Sequence, residues 1–592
     1  MFEYRTPLRE MSFVIDELCA VSKKLSNEPN FSDCGLGTEL TTALLTQAAR
    51  FAENALAPIR RSADMEGVRL ENQRIVLPAG FTEALQEVGQ GGWLGISANP
   101  EFGGQGLPEV FATAIFETWN SANMAFGLGP MLTFGAALAI EHHGSDEQKA
   151  CYLTPMYAGK WAGTMNLTES GAGSDLGVLK TKAVADGQGY RIFGQKIFIT
   201  WGDHEATENI IHLVLARLPS APEGSRGISL FIVPKFLADE QGKYTIRNDV
   251  FPVANESKLG IHGSPTCVMS FGENNGAIGY LLGRENEGLR CMFTMMNEAR
   301  LKVGVQGLAV AEAAYQQAQH YANDRVQGGK VIAEHADVHR MLMTMSSAVQ
   351  AMRAMSYTEA VTLDLANNCS DPSERQQYQR RIDLMIPIIK GWLTELGTEV
   401  ASLGIQVHGG MGYIEETGAA QYLRDVRISS IYEGTNGIQA ADLVGRKLLQ
   451  DGGATLLALL ADIDADIELA KATSDTELQA MAKYLAIGVN EMQQSTQVTL
   501  ARLGDDLECA MLSSFDFMMQ AGYVLGAGHL LRSALLATQE ILSGSSDIFY
   551  KNKLADAGFY MRHLLPRSTT HFMAINRAQS STLNTKLGVE TS

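Results

Sequence analysis

Tyr190-Arg191-Ile192-Phe193-Gly194-Gln195-Lys196-Ile197-Phe198-Ile199-Thr200 is the stretch that decides the architecture. Its aromatic and β-branched residues predict two strands, Tyr190–Phe193 and Lys196–Thr200, flanking a Gly-Gln turn. Ile210–Leu215 and Ile228–Val233 are further short apolar runs bounded by Gly, Pro and charges, so residues 161–280 predict a compact β-domain. On both sides the period changes. Residues 36–160 read as helices: Leu40–Ile59 repeats Leu44, Leu45, Ala48, Phe51, Ala52 and Leu56 at three- and four-residue steps, one buried stripe ended by Pro58 and Arg60-Arg61. Residues 281–450 return to helix, with Gly304–Asp324 free of Pro and Arg381–Val407 predicted to kink at Pro387. Gly452-Gly453 marks a boundary before a further helical region, 451–592, which opens with Ala454–Leu469. Residues 1–35 form an N-terminal extension; they and the last dozen residues read as peripheral. The class is α+β, with a β-domain between helical ones and a cleft where the pieces meet.

Composition narrows the functions. With 45% hydrophobic residues in a 592-residue chain, several core-forming domains are expected. A net charge of −19 repels phosphate backbones and excludes nucleic acid as a partner. The seven Cys residues stand at 19, 34, 151, 267, 291, 369 and 509 with no C-x-x-C pair, which argues against a zinc site and for reduced thiols in a cytoplasmic enzyme. Met1-Phe2-Glu3-Tyr4-Arg5 lacks an apolar signal region, and no uninterrupted apolar run of about 18 residues predicts a membrane span. Adjacent His142-His143 do not share a helix face, so no metal site is expected. Met292, Met295 and Met296 read as core packing, with lining of a ligand channel as the alternative.

Three motifs carry chemistry. Thr168-Glu169-Ser170-Gly171-Ala172-Gly173-Ser174-Asp175 has the wrong spacing for a dinucleotide fingerprint, and a Gly-rich surface turn is its plain reading. Its hydroxyls and backbone donors also suit a flat polar ring or a phosphate. Gln406-Val407-His408-Gly409-Gly410-Met411-Gly412-Tyr413 reads as a helix end and turn, or as backbone that approaches a bulky ligand closely. In Ile431-Tyr432-Glu433-Gly434-Thr435-Asn436-Gly437, Glu433 is either a helix-start carboxylate or a base.

Together these motifs resemble the acyl-CoA dehydrogenase family. The resemblance runs from about residue 36 to 450 and includes Pro100-Glu101-Phe102-Gly103-Gly104-Gln105-Gly106-Leu107, His143-Gly144-Ser145-Asp146-Glu147-Gln148-Lys149, Asn286-Glu287-Gly288 and Tyr422-Leu423-Arg424-Asp425. It implies a helical domain, a central β-barrel-like domain and a C-terminal helical bundle that bind FAD between them. The length beyond residue 450 resembles long bacterial members with an additional helical domain and implies a homodimer. Met165, Leu167, Thr168, Gly173 and Ser174 match the first flavin-contacting stretch, and Phe198 and Thr200 the second. Phe198 stands where many relatives carry Trp. Arg325 and His335 match a stretch that reaches a neighbouring subunit's FAD, although Gly328 replaces a common Phe. Gln406, Gly409 and Gly410 match the pyrophosphate loop; Thr435, Asn436 and Gly437 match the next FAD stretch. Ser174, Asn297, Arg300 and Gly434 fall at substrate-contacting positions.

Glu433 falls on the family's catalytic base. Ala299 occupies the alternative position for that base, and Glu298 beside it is expected to point elsewhere on its helix. The implied enzyme is an FAD-dependent α,β-dehydrogenase that forms a trans-2-enoyl-CoA and passes electrons to an electron-transfer flavoprotein. A medium- to long-chain fatty acyl-CoA in β-oxidation is the expected substrate. The alternatives are 3-methylmercaptopropionyl-CoA, from dimethylsulfoniopropionate breakdown, and a flavin-binding scaffold without activity.

Overall fold

The computed structural model describes residues 2–584. Met1 of the opening run and residues 585–592 of the last dozen lie outside the described residues. The chain forms two compact units. One gathers Glu3–Thr6 and Leu44–Lys302, and is called here the barrel unit; the other, the bundle unit, gathers Pro7–Ala43 and the chain from Val303 onward.

In the barrel unit, Lys182–Asp186 pairs with Gly189–Thr200, that strand with Ala277–Leu282, that with Ile228–Pro234, and that with Asn209–Arg217. Arg217 then meets Lys182, which closes the ring. Alternate residues fill the interior, among them Ile192, Val214, Phe231 and Val233, all fully buried. Thr266–Phe271 and Val250–Asn255 extend the sheet from Gly189–Thr200, and Trp161–Asn166 lies parallel to Asn209–Arg217.

The expected Gly-Gln turn is absent: Gly189–Thr200 is one continuous strand. Residues 190–192 pair with Ala277–Gly279, whereas residues 194–200 pair with Thr266–Phe271. Gly194, at φ 151°, sits where the strand passes from one partner to the other, and a Cβ there would fall against Thr181.

The expected stop at Pro58 is also corrected. Thr38–Phe51 continues through a wide turn, Ala52–Leu56, into Ala57–Glu66, because Pro58 lies in the first turn of that last segment, where no N–H is needed. Glu109–His143 is long and apolar enough to cross a membrane by length and composition. It is broken at Asn123 (φ −159°, ψ 93°), and 89% of its most apolar stretch is buried, as in the core helix of a globular protein.

The helix Gly288–Asp324 starts in the barrel unit and ends in the bundle unit. There Ala336–Asn368 packs on Pro372–His408, one helix that contains Pro387. Ala454–Ala472, Thr476–Asp505, Ser514–Leu542, Ile548–His563 and Pro566–Arg577 complete the unit. Gly522 of Ser514–Leu542 lies flush against the fully buried Trp392 indole, where any Cβ would collide.

Residues 7–35 are not peripheral. Phe13, Ile15 and Leu25 are fully buried, and Phe13 meets Phe549 edge to face at 5.4 Å. The Lys553 ammonium sits 4.8 Å above the Phe13 ring and pairs with Glu10. The segment is integral to the bundle core because its apolar face finds the helix Ile548–His563.

Candidate functional site

The candidate residues divide between the two units. In the barrel unit, Trp161–Asn166 ends one residue before Leu167, and Thr168–Ala172 turns back through paired bonds between Glu169 and Ala172. The Thr168 carbonyl accepts from the Ile197 N–H at 2.9 Å, so the first motif is stitched to the strand that carries Phe198 and Thr200. A buried ion pair fixes the same junction. The Lys196 ammonium, fully buried, donates to Glu169 Oε1 at 2.8 Å and to the Leu167 carbonyl at 3.0 Å. Glu169 also accepts from the Lys180 and Thr181 N–H groups at 2.7 and 3.0 Å. Burial pushes Lys196 down to about 8 against the pull of Glu169. Burial works to raise Glu169, but the Lys196 charge and the hydrogen bonds hold it below the usual carboxylate range.

Phe198 follows two residues later. The strand shifts register there against Cys267–Met269, Phe198 takes φ 60°, and its ring is 58% exposed. A bulge of this kind re-aims a side chain off the sheet. Thr168, Thr200 and Met165 are half-buried, Leu167 is buried, and Gly173 and Ser174 are exposed. Asn297 is half-buried; Arg300 is buried, its guanidinium 6.0 Å from the Phe293 ring.

In the bundle unit, Glu433 is half-buried and holds φ 56°, a left-handed conformation that a Cβ-bearing residue rarely adopts. Gly434 follows at φ 85°. Gln439 ties this turn down by donating to the Glu433 and Gly434 carbonyls at 3.2 and 3.4 Å. The Tyr432 hydroxyl bonds to Gln306, and burial raises that phenol well above its ordinary range. Thr435, not Glu433, caps the helix Asn436–Asp442, its hydroxyl accepting from the Ile438 N–H at 3.3 Å. Glu433 is therefore outside the helix start. Asn436 faces inward: its Oδ1 accepts from the fully buried Lys390 ammonium at 2.7 Å, and its Nδ2 donates to Glu395 at 2.7 Å. Gly437 is exposed.

The loop after Pro372–His408 carries Gln406, Gly409 and Gly410, all exposed, with Gly409 at φ 60°. His408 Nδ1 donates to the Gly404 carbonyl at 2.7 Å, and the ring stacks on Tyr321 at 4.4 Å. Arg325 is exposed at the start of a hairpin formed by Val326–Gln327 and Lys330–Val331. Gly328 and Gly329, at φ 62° and 83°, form its two-residue turn, and this is why no bulky residue stands at 328. His335 Nε2 lies 2.9 Å from the Gln327 carbonyl.

The barrel unit also holds an apolar cavity of about 50 Å³ walled by Trp93, Phe116, Trp119, Met131 and Phe134. Glu109, Glu298 and Lys302 form its polar corner. Met292 and Met295 are fully buried core residues, Met295 against Gly135, and neither lines this cavity. His143 bonds to Thr294 at 2.7 Å, and no cluster that would hold a metal ion occurs among the described residues.

Sequence reading missed Glu169–Lys196 and Lys390–Asn436, because each pairs residues distant in the chain. The one available signal was a Lys inside the apolar strand 196–200.

The residues present fit a flavin. Phe198 offers an exposed aromatic ring on the strand that also carries Thr200 and is hydrogen-bonded to the Thr168 carbonyl. Added Cβ atoms at Gly173, Gly409 and Gly410 meet nothing within 4 Å, leaving open ground next to backbone donors.

Known proteins agree with this reading. Residues 38–160, 164–273 and 286–449 match the N-terminal, middle and C-terminal domains of acyl-CoA dehydrogenase, and 459–586 match an acetyl-CoA dehydrogenase C-terminal-like domain. The chain is 43% identical to the 3-methylmercaptopropionyl-CoA dehydrogenase of Ruegeria pomeroyi, over 99% of this chain and 100% of that one. It is 32% identical to a broad-specificity linear acyl-CoA dehydrogenase of Mycobacterium tuberculosis, over 96% and 97% of the two chains. In fold it resembles an acyl-CoA dehydrogenase from Bacillus anthracis solved with FAD, at TM-score 0.74 and 21% identity, covering 92% of this chain and 88% of that one. With its three domain matches and full-length similarity to known members, the chain belongs to the acyl-CoA dehydrogenase family.

Proposed function

We propose that the protein dehydrogenates a short acyl-CoA, with 3-methylmercaptopropionyl-CoA as its preferred substrate, and that Glu433 is the base. The enzyme is an FAD-dependent oxidoreductase acting on acyl-CoA. The observation that carries the proposal is the Glu433 turn: a half-buried carboxylate in a left-handed conformation, tied by Gln439 and followed by a capped helix. Strain of this order, about 1–3 kcal/mol, persists where function holds it.

When bound, FAD would supply the acceptor for the β-hydrogen, which leaves as a hydride. Glu433 takes the thioester α-proton, and the double bond forms between the two carbons. Thr168, Thr200 and Phe198 would hold the flavin ring, the threonines through their hydroxyls and Phe198 through its exposed ring. By the family match, Gly173 would offer a backbone donor to the cofactor, as would Gln406, Gly409, Gly410, Thr435 and Gly437. Arg325 and His335 contact the same cofactor from a second subunit, so the active form is a homodimer. Ser174, Asn297, Arg300 and Gly434 contact the substrate. An electron-transfer flavoprotein removes the electrons, a role that rests on the family resemblance. The seven cysteines, all free thiols, support a cytoplasmic enzyme.

One finding favours the thioether and another a short chain. The first is the full-length similarity to the Ruegeria enzyme. The second is the cavity of about 50 Å³, which has room for roughly four water-sized groups at ~10–15 Å³ each. A linear fatty acyl-CoA is the second reading, favoured by the 32% identity to the broad-specificity mycobacterial enzyme. A panel of acyl-CoA thioesters assayed with an artificial electron acceptor separates them. The highest kcat/KM should fall on 3-methylmercaptopropionyl-CoA. A maximum on palmitoyl-CoA would establish the second reading, and FAD-loaded protein that turns over no thioester would indicate a flavin-binding scaffold.

A further inference from the structure

We propose that Glu298 is a specificity-determining residue. From the wall of the Trp93–Phe134 cavity, its carboxyl donates a hydrogen bond to a heteroatom in a short acyl tail and so favours a thioether over the hydrocarbon of equal length. This rests on the dehydrogenase reading above.

The cavity has one polar corner, and its bonds are unevenly shared. The Lys302 ammonium bonds to Glu109 and donates to Thr113 at 3.1 Å. Glu109 accepts in addition from Ser97 at 2.7 Å. Glu298 is 7% exposed, and its Oε1 lies 3.5 Å from Lys302 Nζ without a hydrogen-bond partner. A buried polar oxygen in that position costs free energy that a ligand group can recover.

Charge counting gives the carboxyl its proton. Two carboxyls and one ammonium share a buried site, and a single proton makes the set neutral, the state that burial favours. Glu298 is the carboxyl with a vacant oxygen. Burial, with Glu109 beside it, weakens it as an acid and pushes its pKa up to about 7. A protonated carboxyl is a donor; a thioether sulfur is a weak acceptor, and a methylene is none.

The cavity is placed for the tail of a substrate within its own unit. Glu298 stands between Asn297 and Arg300 on one helix. Pro130 and Met131 line the cavity beside Gly129, which is flush against Trp201: an added Cβ would lie 2.9 Å from the indole. Trp201 directly follows Thr200, so one wall of the cavity continues into the flavin-facing strand.

The test compares 3-methylmercaptopropionyl-CoA with pentanoyl-CoA, which carries a methylene where the first has sulfur, on FAD-loaded wild type, Glu298→Gln and Glu298→Leu. FAD content and melting temperature are measured for each. The thioether-to-methylene ratio of kcat/KM should fall roughly five- to tenfold in Glu298→Leu and survive largely in Glu298→Gln, whose amide still donates. A ratio unchanged in Glu298→Leu overturns the assignment. If the leucine variant fails to fold, the wild type alone decides with 3-methoxypropionyl-CoA as third substrate. Its ether oxygen is a better acceptor than a methylene and should also be preferred to pentanoyl-CoA; equal kcat/KM for all three overturns the proposal. Absence of turnover with every thioester would instead strike at the dehydrogenase reading, and this proposal with it.

Discussion

Replacing Lys196 by Met tests whether one buried ion pair holds together the two segments proposed to face the flavin. The side chain is fully buried and donates two hydrogen bonds, 2.8 Å to Glu169 and 3.0 Å to Leu167 O. Met preserves the stem and removes the charge. Breaking a buried pair by deleting one partner costs about 3–5 kcal/mol, chiefly because the other charge is left behind. Glu169 keeps two backbone N–H bonds, from Lys180 and Thr181, so the lower end, about 3 kcal/mol, applies. For a unit of this size that is a drop in melting temperature of roughly 6–12 °C. Leu167 and Thr168, proposed above to contact the flavin, flank the lost bonds, so FAD should be lost as well. The assay is the ratio of flavin to protein absorbance after gel filtration, with a thermal melt on the same sample. Glu169→Gln combined with Lys196→Met removes the stranded charge and should recover part of the loss. A Lys196→Met protein that keeps its full flavin and melts within about 2 °C of wild type would refute the reasoning, because the expected shift is several times larger.

Other consequences are accessible to simple measurements. The His212 imidazole is fully buried, with Nδ1 bonded to Thr164 at 2.8 Å, and burial, aided by Lys235 and Arg247, pushes it down to about 3. The unfolded chain binds that proton near pH 6.5 and the folded chain does not until about pH 3, so stability falls as pH drops below 6.5, by about 1.4 kcal/mol per pH unit. The stability gap between wild type and His212→Asn, measured by urea unfolding, should therefore narrow by about 2 kcal/mol between pH 7.5 and pH 5; a constant gap would contradict the buried neutral imidazole. Asn436→Leu takes an acceptor from the buried Lys390 and loosens the helix that follows Glu433; it should lower kcat more than it raises KM and cost about 1–3 kcal/mol of stability. Gly194→Val should fail to fold or lose FAD, since its Cβ meets Thr181 at the point where the strand changes partners; a soluble yellow protein with wild-type melting would count against this account of the barrel.

The sequence was most legible where periodicity is long or motifs are ordered. Ile210–Leu215 and Ile228–Val233 correspond to the strands Asn209–Arg217 and Ile228–Pro234, because β-branched runs buried on both faces leave little alternative. Gly194-Gln195 misled because Gly marks turns and close backbone approaches alike, and only the position of Thr181 distinguishes them. Pro58 misled because its effect depends on whether it opens a helical segment or interrupts one. The first 35 residues read as an appendage because the apolar face of Phe13 and Ile15 has its partner at Phe549 and Tyr550, more than 500 positions along the chain, where no local pattern reaches. Glu433 was legible as a candidate through its ordered neighbours. Its left-handed backbone, the Gln439 tether and the Thr435 cap were not, since each is a property of the folded turn.

The central claim is that Glu433 removes the proton that starts the reaction, and rapid-mixing measurement of flavin reduction in Glu433→Gln tests it most directly. FAD-loaded wild type and variant are mixed with excess 3-methylmercaptopropionyl-CoA without oxygen, and the loss of flavin absorbance near 450 nm is followed. The account predicts that the variant keeps its yellow FAD and its affinity for the thioester, while its reduction slows by at least ~10² to 10⁴, the contribution of a positioned base. Reduction of the variant at a rate close to that of wild type would contradict it and remove Glu433 from the chemistry.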